Sequence, residues 1–233
     1  MKKKLVVLTG AGISAESGLR TFRDSDGLWG NHRVEDVATP EAFAANPKLV
    51  LDFYNERRKF ASEAIPNLAH KTLAKLEAYF DVSIITQNVD DLHERGGSSH
   101  VLHLHGQLSQ ARSILNPNKV FNIGNKAINF GDLAEDGGQL RPHIVWFGEE
   151  VLMIIEAAKI CEEADLFVII GTSLQVYPAS GLINYVPRNA HKYLIDRYLP
   201  EVVDINLNMT FLEGPATEMV PLLMKKLTEE VQN

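Results

Sequence analysis

Leu5-Val6-Val7-Leu8-Thr9-Gly10-Ala11-Gly12-Ile13-Ser14-Ala15 is the stretch on which the fold turns. Leu5 to Leu8 is a short, uniformly apolar run bounded by glycine, which reads as a strand buried on both faces of a parallel sheet. Gly10 to Ala15 fits the G-x-G-x-x-G/A form of a dinucleotide loop. Glycine at 10 allows a tight turn, and glycine at 12 lets the backbone approach a pyrophosphate. A helix starting here would point its first amides at the anion. A plain glycine turn has the same composition. The position after a buried strand favours NAD, with Gly10, Ala11, Gly12, Ile13 and Ala15 as candidate contacts.

The pattern repeats outward from this stretch. Val82-Ser83-Ile84-Ile85 runs into Thr86-Gln87-Asn88, Leu166 to Ile170 into Gly171-Thr172-Ser173, and Lys192-Tyr193-Leu194-Ile195 into Asp196. Helical patterns, Leu68 to Tyr79 and Leu152 to Glu163, precede the first and second of these. Alternating strands and helices predict an α/β fold with a doubly wound parallel sheet. Such sheets bind ligands outside the carboxyl ends of their strands. The polar strand ends are therefore the first candidates for one shared site.

A chain of 233 residues, 45% hydrophobic and 23% charged, suits one soluble domain with or without a small inserted lobe. No apolar run approaches the ~20 residues of a membrane span. Met1-Lys2-Lys3-Lys4 begins like a signal peptide, but Leu5 to Leu8 is too short for its apolar core, which predicts a cytoplasmic protein. A net charge of −7 argues against non-specific nucleic-acid binding. No feature asks for more than a monomer. The single cysteine, Cys161, argues against a disulfide framework and a cysteine-built metal site, and reads as a small buried apolar residue.

Two stretches, about 21–64 and 107–141, break the alternation and are read together as a small second lobe. The first opens with a polar loop, Leu19 to Trp29, at the point where a dehydrogenase would place a second strand and its ribose-binding acid. Its arginines and its aromatics Phe22 and Trp29 read as a lid over a bound cofactor. Thr39-Pro40 and Asn46-Pro47 read as helix starts. The second stretch reads as irregular, with Asn116-Pro117-Asn118 and Asp136-Gly137-Gly138. Beyond Pro215, residues Met219, Leu222, Leu223 and Leu227 predict a helix face against the core.

Gln87-Asn88-Val89-Asp90-Asp91 offers amide and carboxylate groups that either bind a carboxamide and ribose hydroxyls or cap the next helix. Gly171-Thr172-Ser173 offers amides and hydroxyls at the same sheet edge, or a turn with a cap. In His100-Val101-Leu102-His103-Leu104-His105-Gly106, an extended strand would put His103 and His105 on one face. Two histidines without a nearby acid or cysteine make a poor metal set. A general base is the better role. His105, before glycine at a strand end where a ligand can approach, is preferred; His70 reads as structural.

Together these segments resemble the sirtuin family. The resemblance is carried by Gly10-Ala11-Gly12-Ile13-Ser14 with Gly18-Leu19-Arg20-Thr21-Phe22-Arg23, and by Thr86-Gln87-Asn88-Val89-Asp90. It continues through Leu104-His105-Gly106, Trp146-Phe147-Gly148-Glu149 and Gly171-Thr172-Ser173, in the family's order along nearly the whole chain. The resemblance implies a single catalytic domain over 1–233: a Rossmann-like sheet with a small lobe, using NAD as a co-substrate. It implies that an acyl-lysine amide oxygen attacks the nicotinamide ribose and nicotinamide leaves. The residue matching His105 then deprotonates a ribose hydroxyl, and the products are free lysine and O-acyl-ADP-ribose. Asn88 would order water and ribose, Asp90 would hold the carboxamide, and the loop with Thr21, Phe22 and Arg23 would close over the cofactor. Val145, Phe147 and Gly148 would lie on a strand-like edge that pairs with the substrate peptide.

Tyr54 and Arg57 share a helical face and match the pair by which some sirtuins bind the distal carboxylate of succinyl- or malonyl-lysine. Ala38 matches the small residue that leaves room for that acyl group. By charge pattern alone, with Glu56, Arg58 and Lys59 alongside, this reads as a solvated face. Most sirtuins hold a structural zinc with two cysteine pairs. Here Gln110 to Ile114 carries no cysteine, so no zinc is expected, and Phe121, Ile123, Ile128 and Phe130 are the candidates to pack the lobe. Asp196 stands where the family usually has asparagine near the adenosine ribose, and Ala216 matches a residue near the adenine. The expected function is NAD-dependent deacylation of lysine, with desuccinylation or demalonylation favoured. NAD glycohydrolysis or ADP-ribosyl transfer is the alternative.

Overall fold

The computed structural model describes residues 2–19, 28–29, 32–198 and 208–232. Strand β1 (Lys4–Thr9) leads into a single helical turn, α1 (Gly12–Ala15). An antiparallel pair, β2 (Leu28–Trp29) and β3 (His32–Arg33), precedes α2 (Val34–Val37), α3 (Pro40–Ala45) and α4 (Pro47–Glu63). Next come α5 (Leu68–Leu76), β4 (Asp81–Thr86), α6 (Leu92–Arg95) and β5 (Val101–His103). Strands β6 (Gly106–Ser113), β7 (Val120–Asn122) and β8 (Leu140–Ile144) follow. The chain continues through α7 (Ile154–Glu162), β9 (Leu166–Ile170), a 3₁₀ segment (Ala179–Tyr185), β10 (His191–Asp196), β11 (Met209–Glu213) and α8 (Ala216–Gln232).

Six strands form one sheet in the order β11-β10-β9-β1-β4-β5, and every pairing in it is parallel. The expected doubly wound Rossmann-like sheet is thus present. Alternation along β1 divides the core in two. Leu5 and Val7 pack with Leu73 and Leu76 of α5 and with Val220 and Leu223 of α8. Val6 and Leu8 pack on the opposite face with Ala157 and Cys161 of α7 and Leu182 of the 3₁₀ segment. A uniformly apolar strand is what a layer covered on both sides requires.

The small lobe corrects the sequence reading. The stretch read as irregular carries a three-stranded antiparallel sheet, β7-β6-β8, with irregular chain between its strands. Its strands are mostly polar because only isolated positions, such as Leu108 and Ala111, face inward. Ile128 does pack, with Leu51 and Ala111, and Ile123 flanks them, whereas Phe130 is 68% exposed. Helices α2 and α4 share a second core with this sheet through Val37, Val50, Tyr54, Leu108 and Ile144. Both expected caps are made: Thr39 Oγ1 accepts from the Ala42 N–H at 3.0 Å, and Asn46 Oδ1 from the Leu49 N–H at 3.1 Å.

The last helix meets expectation at Met219, Leu223 and Leu227 and departs from it at Leu222. Helix α8 buries Ala216, Val220, Leu223 and Leu227, at spacings of four, three and four, and leaves Leu222 59% exposed. The pair Leu222–Leu223 offered two possible stripes, and contact with β1 and α5 selects the one through Val220. Leu5→Ala should lower the unfolding free energy by about 2–5 kcal/mol. Leu222→Ala should change it by less than about 0.5 kcal/mol. Urea unfolding of the two variants side by side checks both the core and the corrected face.

Candidate active site

The chain reverses direction across the sheet between β1 and β9, and a cavity of about 850 Å³ opens at the carboxyl ends of β1, β4, β9 and β10. This is the crevice where open α/β sheets take their ligands. Its volume lies within the roughly 300–1,000 Å³ of sites that enclose small molecules.

The floor is made of backbone. Gly10 N donates to Ile170 O at 3.0 Å, and Gly12 N donates to Gly171 O at 2.8 Å. A Cβ on Gly12 would lie 2.6 Å from Gly171 Cα, and one on Gly10 would lie 2.7 Å from Gly171 O. Gly171 has φ +61°, and a Cβ there would meet Ile13 N at 2.5 Å. The glycines therefore serve the contact between two strand-end loops. The expected row of helix amides aimed at an anion is not what α1 provides. It is one turn long, and the Gly12, Ile13 and Ser14 N–H groups donate to Gly171 O, Gly10 O and Ala11 O. Gly10, Ala11, Gly12 and Ala15 line the cavity. Ile13 is fully buried in the core beneath.

The end of β4 forms one wall. Asn88 Nδ2 donates to Gly10 O and to Ser14 Oγ, each at 3.1 Å. A carbonyl oxygen only accepts, so these contacts assign the NH₂ and leave Oδ1 as the acceptor at the cavity. Asp90 lies nearby, buried, with Oδ1 accepting from the Leu92 N–H at 3.1 Å. It therefore satisfies the first N–H of α6 as well as lining the cavity, while Asp91, the N-cap residue, makes no side-chain cap bond. Burial raises its pKa, against the opposing bonds from Leu92 and Ser14. Gln87 Nε2 donates to Thr172 Oγ1 at 3.1 Å, tying the β4 end to the β9 end, where Ser173 also lines the cavity.

His105 lines the same cavity. Its Nδ1 lies 3.1 Å from Gln87 O, an acceptor, so Nδ1 carries the proton and Nε2 holds a lone pair. Burial lowers its pKa, partly offset by the Gln87 carbonyl. His103 does not share this setting. Strand β5 ends at His103, so strand alternation does not extend to His105. The His103 ring bridges Asn88 O at 3.0 Å and Glu94 Oε1 at 2.8 Å.

Tyr54 and Arg57 of α4 and Ala38 also line the cavity. The solvated-face reading fails here: Tyr54 is buried, and so is Arg58, whose Nε donates to Leu108 O at 2.5 Å. Burial lowers the Arg57 pKa to about 10, against nearby Tyr54 and Asp90, so it stays charged at neutral pH. Burial raises the pKa of the Tyr54 hydroxyl, against nearby Arg57. The strand-like edge is also corrected. β8 stops at Ile144, and Val145 to Glu149 is a turn-containing loop with Gly148 at φ +88°. The Val145, Trp146 and Phe147 N–H groups already donate to His105 O, Glu149 Oε2 and Ala38 O.

At the far end, Asp196 and Ala216 line the cavity, with Asp196 Oδ1 accepting from the Tyr198 N–H at 3.1 Å. Thr21, Phe22 and Arg23 lie outside the described residues. Among the described residues no group of three or more His, Cys, Asp or Glu side chains is placed to hold a metal. Sequence reading missed a buried polar layer under the floor. Thr9 Oγ1 donates to Thr86 Oγ1 at 2.8 Å and lies 3.0 Å from His93 Nε2. Ser14 Oγ lies 3.5 Å from His70 Nε2, and His70 Nδ1 lies 3.1 Å from Asn67 Oδ1. Its sequence signal is slight: threonines at the ends of two apolar strands, Thr9 and Thr86, and single polar residues, Ser14, His70 and His93, on three helices.

Fold and cavity together define a Rossmann-like protein with a ligand site at its topological switch point. Residues 10–178 match the model of the Sir2 family. A protein of Helicobacter pylori called NAD-dependent protein deacylase is 52% identical over 229 residues, 97% of this chain and 98% of that protein. One of Bacteroides thetaiotaomicron with the same name is 56% identical over 232 residues, 97% of this chain and 98% of that protein. Among solved structures, a Sir2 homolog–NAD complex has a TM-score of 0.86 at 38% identity, covering 99% of this chain and 91% of that one. A Sir2 complex with a p53 peptide and NAD has a TM-score of 0.80 at 28% identity, covering 98% and 95%. This chain belongs to the Sir2 family.

Burial lowers the His70 pKa from 6.5 to about 4. Between those values the unfolded chain binds the proton and the folded chain does not, so stability rises with pH across that window. The contribution, about 3 kcal/mol, is present above pH 6.5 and is lost as pH falls toward 4. Urea unfolding at a series of pH values should show this slope, and His70→Gln should reduce it, with His93, His105 and His143, whose pKa values are lowered too, supplying the remainder. A slope unchanged by the substitution would refute the assignment.

Proposed function

We propose that this chain is an NAD-dependent protein-lysine deacylase that releases nicotinamide and O-acyl-ADP-ribose, with preference for succinyl- or malonyl-lysine and acetyl-lysine as a further substrate. The observation that carries the reading is the placement of His105. Its ring, with the lone pair on Nε2, lines a cavity that Asn88, Asp90, Tyr54 and Arg57 also line.

The residues present suit NAD. A buried carboxylate at Asp90 and an amide oxygen at Asn88 match the N–H donors of a carboxamide and the hydroxyls of a ribose. The backbone floor of Gly10, Ala11 and Gly12 leaves room for a pyrophosphate, and Asp196 accepts from adenosine ribose hydroxyls. The co-substrate supplies an electrophilic ribose carbon and a leaving group. The chain supplies orientation and a proton acceptor, and it keeps out the water that would hydrolyse NAD. His105 Nε2 takes the proton of a ribose hydroxyl, with Gln87 O holding the tautomer. Arg57 pairs the distal carboxylate of an acidic acyl chain, an arrangement suited to two parallel N–H···O bonds. Tyr54 donates to the same group, and Ala38 leaves room for the chain. The loop Val145–Gly148 takes the peptide.

The same reading treats 1–233 as one catalytic domain with a small lobe from about 21–64 and 107–141. It acts as a cytoplasmic monomer on acyl-lysine proteins or peptides, without zinc, nucleic acid or membrane. The net charge of −7 supports the nucleic-acid part. No helix among the described residues is long and apolar enough to cross a membrane.

The test is incubation with NAD and succinyl-lysine or acetyl-lysine peptides, followed by mass spectrometry of peptide, nicotinamide and acyl-ADP-ribose. Nicotinamide release without deacylation would sink the reading and promote NAD glycohydrolysis. His105→Ala should cut deacylation by about 10²–10⁴-fold and leave NAD binding by calorimetry intact. Because burial lowers the His105 pKa below 6.5, activity should hold on acidification through pH 6.5 and fall only below it. Arg57→Met should cut desuccinylation by about 10²-fold while deacetylation changes little, since a site built for a charged group loses most with that group's partner. Equal losses on both peptides would remove Arg57 from acyl selection.

A further inference from the structure

The Glu149 carboxylate is gathered by three donors from separate parts of the small lobe. Arg141 of β8 donates from Nη1 to Oε1 at 2.6 Å and from Nη2 to Oε2 at 3.0 Å. Arg112 of β6 donates from Nη2 to both oxygens, at 3.2 and 3.1 Å. The Trp146 N–H donates to Oε2 at 2.8 Å. The Arg141 guanidinium also lies 3.2 Å from the centroid of the Trp146 ring and donates to Ile144 O at 2.8 Å. The Trp146 ring in turn packs on Phe43 and Tyr54, with centroids 5.3 and 6.2 Å away. One residue on, the Phe147 N–H donates to Ala38 O at 3.0 Å. The charge cluster thus reaches Tyr54, Ala38 and Phe147, which all line the cavity, through Trp146 and its turn.

Two features make this a determined geometry. The Arg141–Glu149 pair is two-pronged, which fixes angle as well as distance. The side chains of Arg141, Arg112 and Glu149 are only 8%, 12% and 21% exposed. Solvent therefore screens the pairing little, and loss of one member strands the others. Glu149 also closes its own turn, since its N–H donates to Trp146 O at 3.0 Å.

We infer that Glu149, clamped by Arg141 and Arg112, is a positioning residue that fixes the Trp146–Gly148 turn and the Tyr54 ring, and thereby sets the acyl-peptide part of the cavity. The inference rests on the deacylase reading above. The cluster joins the small sheet to the Trp146 turn, whereas the side chains of Asn88, Asp90 and His105 are held by Gly10 and Ser14, by Leu92 and by Gln87. Its loss should therefore be felt by the peptide and not by NAD.

Glu149→Gln should raise KM for a succinyl-lysine peptide by about tenfold or more, within the roughly 10²-fold that a displacement near 1 Å can cost. KM for NAD, and kcat at saturating peptide, should move by less than about twofold. Arg112→Gln should show the same split more weakly, because Arg141 remains. The calorimetric Kd of the succinyl-lysine peptide without NAD should follow its KM. A fall in kcat with unchanged peptide KM, or a KM for NAD that rises as much as that for peptide, overturns the positioning role. Should Glu149→Gln fail to fold by circular dichroism, Arg112→Gln decides, and an unchanged peptide KM there overturns the inference. A wild-type protein that binds and deacylates the peptide no better than the variants sinks this inference alone. A wild-type protein that does neither sinks the deacylase reading and this inference with it.

Discussion

The backbone contact between the β1 and β9 loops is the constraint on which the rest of the structure depends. Where a parallel sheet reverses its winding, two adjacent strand ends must diverge, and a crevice opens between them. Here the crevice floor is closed by Gly12 N on Gly171 O, with no room for a Cβ on either side. Because the floor is backbone alone, it stays low and flat, and the longer polar end of β4 stands above it as a wall. Gln87 then bridges that wall to Thr172 across the crevice. A glycine motif that reads as an approach for phosphate is thus, first, the device that lets two strand ends share one surface.

A floor without side chains needs support from below, and the buried polar layer supplies it. Thr9, Thr86, Ser14, His70 and His93 are all fully or almost fully buried. Each unpaired group there would cost about 1–3 kcal/mol. Apart from His93 Nδ1, which has no hydrogen-bond partner among the described residues, they are linked to one another and to Asn88, whose backbone N–H donates to Thr86 Oγ1 at 3.0 Å and whose side chain donates to Ser14. Burial lowers the pKa of both histidines, so at neutral pH the layer carries no charge on them. Such linked groups reinforce each other in a low dielectric. The outcome is a single orientation for the Asn88 amide, held before any ligand arrives.

Legibility in the sequence followed burial. Strands β1, β4, β9 and β10 were readable because a layer covered on both faces demands continuous apolar residues, and their polar ends marked the crevice. The small sheet was not readable. Its strands bury single residues such as Ala111 and Leu108 between polar ones, and β11 is too partially covered to stand out. Tyr54, His105, Asn88 and Asp90 were found through motif and resemblance, and the cavity contains all four. Glu149 was quoted within its motif, but its partners Arg112 and Arg141 could not be paired with it. Both lie upstream, on two antiparallel strands whose register only the fold sets.

Helix α4 shows why a run of charges can be misread. At about 100° per residue, neighbours along Asn55-Glu56-Arg57-Arg58 face different surroundings. Glu56 and Arg57 line the cavity. Arg58 turns inward, donating to Leu108 O and to Asn55 Oδ1 at 2.6 Å. Asn55 pairs with the backbone at Ile128 in both directions, its Nδ2 donating to the carbonyl at 2.8 Å and its Oδ1 accepting the N–H at 2.9 Å. Thus the two residues flanking the Glu56–Arg57 pair fasten the helix to the small sheet and to the loop beside it. The acyl selection proposed for Arg57 requires a helix that does not shift, and polar staples satisfied by backbone groups can fix a helix where the apolar core is thin. The helix therefore gathers its charges for two separate tasks, and their adjacency in sequence follows from the helical turn, not from a shared solvated face.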